Sequence, residues 1–239
     1  MDAESMKPYG LALLDFFKGD ISAELVIIRD DGLKDRFPIS HFFRKPSEFS
    51  VLEQRALELC QGRVLDVGAG VGAHSLILQE KGLSVCAIDV CTEACEILRK
   101  RGIKDVRQVD IFEFIEKPFD TLLMLDHGLG IVGTVSGLEQ FLEGIHRLVA
   151  KEGQILVDSM DIRHTTDQLH LAYQEANRQA GRYFGEVHTQ FEYKGQKAPF
   201  FDFLNVSIDT LSKYTMKTGW SCTIIYKEES GDYLAQLTH

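Results

Sequence analysis

Between Val64 and Gly72 the chain reads VLDVGAGVG: a short β-branched run, a carboxylate at Asp66, then glycine at positions 68, 70 and 72. The stretch that follows, SLILQEKG, has helical spacing. A strand that ends in alternate glycines and turns straight into a helix leaves few folds open. The glycines let the backbone turn sharply and let another group approach it closely. The first turn of the helix adds backbone N–H donors with no partner inside the helix. A tight strand-to-helix turn with no ligand would carry the same glycines, so the loop needs support from the rest of the chain.

That support is a repeated alternation. SVCAID (84–89), DVRQV (105–109), FDTLLML (119–125) and QILVD (154–158) read as further strands, with helices between most of them, as at TEACEILRKRG (92–102). Strands alternating with helices imply a parallel sheet covered on both faces, and right-handed crossovers restrict its topology. The flanks differ. Residues 9–17 form a short apolar helix, and 24–38 read as a hairpin turning at Asp30-Asp31-Gly32. Ser47 is placed to cap the helix that runs to Cys60. After residue 160 the alternation stops. A helix over 165–180, capped by Thr165 or Thr166, leads to two aromatic-rich runs that read as a second hairpin over 182–206. Then come a helix over 208–219 and a third hairpin, 220–228 with 232–237.

Asp89 closes the second strand, 19 residues after Gly70. A carboxylate there can accept hydrogen bonds from both hydroxyls of an adenosine ribose. Asp66 separates two kinds of adenosine ligand. A dinucleotide brings an anionic pyrophosphate, which a carboxylate just before the glycines would repel. S-adenosylmethionine (SAM) brings a sulfonium and an ammonium, which an acidic pocket suits. Asp66 bonded to backbone instead would remove that distinction. The formal net charge of −10 argues against a nucleic-acid partner. Five cysteines, an odd number, with no secretory leader point to reduced thiols in the cytoplasm. No apolar run approaches the roughly 20 residues of a membrane helix.

LDVGAGVG followed by CAIDV resembles the first two motifs of the class I SAM-dependent methyltransferases. QVDIFEF and FDTLLMLDHGLGIVG resemble the third- and fourth-strand motifs, so the likeness runs over about residues 50–160. PISHFFR, GRYFGEV and the Gly-Trp before the last hairpin also resemble bacterial methyltransferase-like proteins of undefined substrate. The resemblance implies a doubly wound, seven-stranded, mostly parallel sheet of order 3-2-1-4-5-7-6, with the seventh strand antiparallel. It divides the chain into an N-terminal helix, hairpin and cap over 1–46 and a SAM-binding domain over 47–239, with 161–207 as an inserted helix and hairpin. It also implies cofactor contacts: Asp89 at the ribose, Asp110 at the adenine amino group, Ile111 against the ring, and Gly68 and Gly70 beside the methionine part; Asp66, Ala69, Val90 and Leu125 complete the candidate cofactor-binding residues. The loop Asp126–Gly130 would lie beside the methionine part and the reactive methyl.

Methyl transfer needs a base only if the acceptor holds a proton. His127 is the candidate base, since imidazole titrates near neutrality, and Asp126 is its neighbour, orienting backbone or cofactor. A hydrogen bond from His127 to the cofactor or a loop is the alternative. Arg44 can pair with the methionine carboxylate, with Phe42 or Phe43 covering the site; an arginine stacked among aromatics at the surface is the rival reading. Asp158 and Asp161 follow the fifth strand, where substrate contacts are expected, with Arg163 and His164 nearby. Tyr183, Phe184, His188, Phe191, Tyr193, Phe200, Phe201 and Phe203 make the inserted hairpin aromatic, as a substrate lid, a homodimer contact or a face packed on the sheet edge. Tyr183, His188, Phe43 and Asp158 are the candidate acceptor contacts. Cys91 and Cys95 sit one helical turn apart, too few ligands for a closed zinc site, and no metal is expected.

The expected activity is SAM-dependent methyl transfer to an oxygen or nitrogen of a small molecule. A SAM-binding regulatory protein without turnover is the alternative from another class. An NAD-dependent oxidoreductase is disfavoured by Asp66, by the glycine spacing and by the lack of a Tyr-x-x-x-Lys pair. Asp126-His127-Gly128-Leu129 stands where many amino-group nucleic-acid methylators carry an Asn/Asp-Pro-Pro-aromatic motif, which argues against that substrate.

Overall fold

The computed structural model describes residues 1–239. Their contacts gather into two compact units, residues 1–115 with 188–201 and residues 116–187 with 202–239.

The first unit opens with α1 (Lys7–Phe17), β1 (Glu24–Arg29) and β2 (Lys34–Pro38). Then come α2 (Val51–Leu59), β3 (Arg63–Val67), α3 (Ala73–Glu80), β4 (Ser84–Asp89), α4 (Thr92–Lys100) and β5 (Asp105–Gln108). The last four residues of β3 and the last five of β4 are buried, as strands covered on both faces must be. α4 lays Ala94, Cys95, Ile97 and Leu98 inward, and Leu98 packs with Ala87 and Ile103. The helix entering β3 is capped by Ser50, not Ser47. The Ser50 hydroxyl accepts from the Glu53 N–H while Glu53 accepts from the Ser50 N–H, a reciprocal box that Ser47, inside a short 3-10 turn, is too early to make.

The second unit holds β6 (Phe119–Met124), α5 (Val135–Gly144), β7 (Val149–Met160), α6 (Gln168–Gln179), α7 (Ile208–Lys217), β11 (Ser221–Lys227) and β12 (Asp232–Thr238). β7 is longer than QILVD because pairing extends it both ways: Val149 meets Phe119 on β6, and Met160 meets Asp232 on β12. α6 is capped by Asp167, whose carboxylate accepts from the Leu169 and His170 N–H groups; Thr165 and Thr166 lie before it. The seven-stranded sheet has the order β11-β12-β7-β6-β3-β4-β5, which is the expected 3-2-1-4-5-7-6. β12, the seventh of these in sequence, runs antiparallel to β7.

Pairing of the N-terminal hairpin with the inserted one was not legible in the sequence. β8 (Glu186–Tyr193) runs antiparallel along β1, with Val26 opposite Glu192 and Arg29 opposite Thr189. β9 (Gln196–Lys197) turns back on β8 through Lys194 and Gly195. With β10 (Phe201–Leu204) they form a second sheet of order β10-β8-β1-β2.

Candidate functional site

In the first unit, the glycine loop and Asp89 are joined directly. The Gly70 N–H donates to Asp89 Oδ2 at 2.8 Å, and the Cys91 N–H donates to Oδ1 at 2.8 Å. Burial pushes the Asp89 carboxyl up to about 6, and these backbone donors work against that rise. Gly68 and Gly70 have φ of +69° and +55°. A Cβ on Gly68 would meet nothing within 4 Å, and one on Gly70 only the Tyr9 hydroxyl at 3.4 Å. The backbone of this loop is therefore open to a neighbour beside a fixed carboxylate. The acidic, unblocked edge suits an adenosine ribose linked to a cationic sulfur.

Asp66 lies behind the loop. It is buried, and the Ser75 hydroxyl donates to its Oδ2 at 2.5 Å, so it ties the end of β3 to the first turn of α3. Burial raises its pKa as well. The Val90 carbonyl accepts from the Gln108 side-chain amide. The Asp110 carboxylate accepts from the Phe112 N–H at 2.9 Å, capping the turn after β5, and Ile111 beside it is buried.

The N-terminal segment is tied down by charge. Arg44 places Nη2 2.6 Å from Glu53 Oε1 and Nη1 2.9 Å from the His41 carbonyl. His74 Nε2 lies 2.8 Å from the same Glu53 oxygen. Burial pushes the Glu53 carboxyl up, but His74, the Ser50 N–H and Arg44 outweigh it and hold it at about 2. The Arg44 guanidinium thus joins residues 41–44 to α2 and α3. Phe43 stacks on Phe16 at 4.7 Å, and the Arg101 guanidinium lies over the Phe43 ring, 5.6 Å from its centroid. Phe42 meets Tyr9 edge-on at 5.0 Å, and Tyr9 also touches Phe191 of β8 at 6.1 Å. Tyr9 therefore gathers α1, the 41–43 segment and β8 at the glycine loop. Sequence reasoning missed it, and the only signal was an aromatic residue on a short apolar helix. His188 stacks flat on Phe200 at 5.0 Å.

In the second unit, Leu125 is buried and Asp126 and His127 follow it with φ of +64° and +59°. Two successive left-handed residues that are not glycine are a costly arrangement that surrounding structure must enforce. Asp158 enforces it: its Oδ2 accepts from the His127 N–H at 3.1 Å and its Oδ1 from the Gly128 N–H at 3.0 Å. Burial pushes the Asp158 carboxyl up, and His127 opposes the shift. His127 Nε2 lies 3.5 Å from Asp232 Oδ1, a residue the sequence analysis did not single out. Asp161 accepts from the Arg163 N–H and pairs with its guanidinium at 2.6 Å. The Tyr183 hydroxyl donates to Ser207 Oγ at 3.1 Å and accepts from the Ser207 N–H at 2.9 Å, so it buttresses the start of α7. No helix is long and apolar enough to cross a membrane.

A family model described as a methyltransferase domain matches residues 65–157. Over nearly its whole length the chain is similar to a SAM-dependent methyltransferase from Bacteroides fragilis, solved with S-adenosyl-L-homocysteine. The two are 34% identical with a TM-score of 0.86, over 98% of this chain and 95% of that one. Such coverage takes in the N-terminal hairpin and the 161–207 segment. Two curated relatives match over 76 residues each: an uncharacterized methyltransferase from Staphylococcus carnosus at 32% identity, and a ubiquinone biosynthesis O-methyltransferase from Actinobacillus pleuropneumoniae at 34%. Those matches cover 31% and 30% of this chain, and the chain spans about a third of the two relatives' length, 37% and 32%.

Proposed function

This chain belongs to the SAM-dependent methyltransferases, and from that premise we propose that it moves a methyl group from S-adenosylmethionine to an oxygen or nitrogen of a small molecule. The observation that carries this reading is the glycine loop, open at Gly68 and hydrogen-bonded through Gly70 to the Asp89 carboxylate. In this reading Asp89 accepts the ribose hydroxyls with the lone pairs its two backbone donors leave over. Asp110, Ile111 and Val90 serve the adenosine end, and the backbone of Gly68, Ala69 and Gly70 runs along the methionine part. Asp66 acts from behind by fixing α3, and Arg44 by fixing the 41–44 segment. Leu125 and Asp126 set the loop that carries His127.

S-adenosylmethionine, when bound, supplies an electrophilic methyl carbon and a neutral leaving group. The chain's own task is to hold the acceptor in line with that carbon and to take a proton where the acceptor carries one. His127 performs the second task, because its backbone is clamped by Asp158 and its ring is part-exposed. The net charge of −10 supports a small acceptor over a polyphosphate chain, and five free thiols suit a reducing compartment such as the cytoplasm.

The test is transfer from methyl-labelled SAM to pools of amines, phenols, carboxylic acids and sugars. Label should appear in a low-molecular-weight product of at least one class. His127→Ala should slow that transfer by roughly 10²–10⁴-fold with product-cofactor affinity unchanged. Binding with no transfer to any pool would instead favour a regulatory SAM binder, and label in protein or RNA would overturn the small-molecule assignment.

A further inference from the structure

The loop after β6 and the β7–β12 ladder place two carboxylates around one histidine, with different tasks. Leu234 pairs with Asp158 and Asp232 with Met160. Residues directly opposite share a sheet face, as do residues two apart, so Asp158 and Asp232 project from the same face. Asp158 spends both oxygens on the backbone, holding the His127 and Gly128 N–H groups. Asp232 faces the ring, its Oδ1 3.5 Å from Nε2. Its other oxygen is not free to turn, because the Ser230 hydroxyl donates to Oδ2 at 2.7 Å. The charged groups around the imidazole are thus Asp126 on its own loop, Asp158 on β7 and Asp232 on β12. Among them Asp232 stands at ion-pair distance from a ring nitrogen.

We propose that Asp232 is the positioning residue that keeps the His127 proton on Nε2, leaving the Nδ1 lone pair to accept the proton of the methyl acceptor. The inference rests on the methyl-transfer reading with His127 as base. A 3.5 Å separation tightens to a hydrogen bond with a small rotation of the ring, as such contacts do when a site fills. A carboxylate that fixes an imidazole's tautomer also stabilises the cation that forms when the base is used. The step balances. The acceptor's heteroatom gives its proton to Nδ1 and its electron pair to the methyl carbon, while the carbon–sulfur bond breaks towards sulfur to leave the neutral thioether. The imidazolium, paired with Asp232, then returns its proton to water.

The test reads the ring itself, with no acceptor needed. Long-range proton–nitrogen correlation spectra of the ¹⁵N-labelled protein, with S-adenosylhomocysteine present, report the tautomer of each histidine, and His127→Gln assigns the signal. Wild type should show His127 with Nε2 protonated. Asp232→Asn should give a mixture of tautomers, since the carboxylate that faces Nε2 is gone. Asp232→Glu should restore the wild-type tautomer in part. A wild-type ring protonated at Nδ1, or a tautomer unmoved in Asp232→Asn, would overturn the proposal. Neither result would touch methyl transfer itself, which fails or stands on the labelled-cofactor assay.

Discussion

Asp89 carries two opposed demands. In the free protein burial lifts its pKa from 3.8 to about 6, against the charged form that a ribose needs. By linkage, the folded state binds this proton more tightly than the unfolded chain. Stability from the group is therefore full below about 4 and is lost as pH rises to about 6, by an amount on the order of 3 kcal/mol. Ribose hydroxyls donate to the ionised form, so ligand binding pulls the pKa back down. Affinity for S-adenosylhomocysteine should then be flat above about pH 7 and weaken below 6, approaching tenfold per pH unit. Titration calorimetry between pH 5 and 8 reads this directly, with Asp89→Asn losing the slope; a wild-type affinity independent of pH would separate Asp89 from the ligand.

Among the elements, the turn over Gly128–Val132 depends on one missing side chain. Gly130 has no left-handed φ to explain it, yet a Cβ there would overlap the Phe203 ring of β10. Gly130→Ala should therefore cost about 1–3 kcal/mol by overpacking, several degrees of Tm at this chain length. Phe203→Leu in the same chain should recover most of the loss; if it does not, the close approach is not what selects glycine. The elements also mark what the sequence could disclose. β4 ends where SVCAID ends, and β3 where RVLDV ends, because their patterns are local: an apolar run bounded by charge and glycine. The β1–β8 pairing was hidden, since neither ELVIIR nor EVHTQFEY carries a feature that names a partner so distant in the chain. Ser47 and Ser50 are equally good caps by type, and only the reciprocal bond with Glu53 separates them. For the same reason Asp89 and His127, which sit in motifs, were readable, whereas Tyr9, the Glu53–His74 pair and Asp232 gain their places only through folding.

For the whole molecule, the sheet order and the nearly full-length likeness to a SAM-dependent methyltransferase agree on the family. We propose that the Asp89 loop holds S-adenosylmethionine and not a dinucleotide. Binding stabilises a fold by mass action, about 2.7 kcal/mol at a ligand concentration a hundred times Kd, so the same interaction is visible in a thermal shift. The most direct measurement is calorimetric titration of wild type and Asp89→Ala with SAM, S-adenosylhomocysteine and NAD. The account predicts micromolar binding of the two sulfur nucleosides, none of NAD, and loss of all binding in Asp89→Ala with the fold intact. Binding of NAD, or affinity for SAM unchanged in Asp89→Ala, would contradict it.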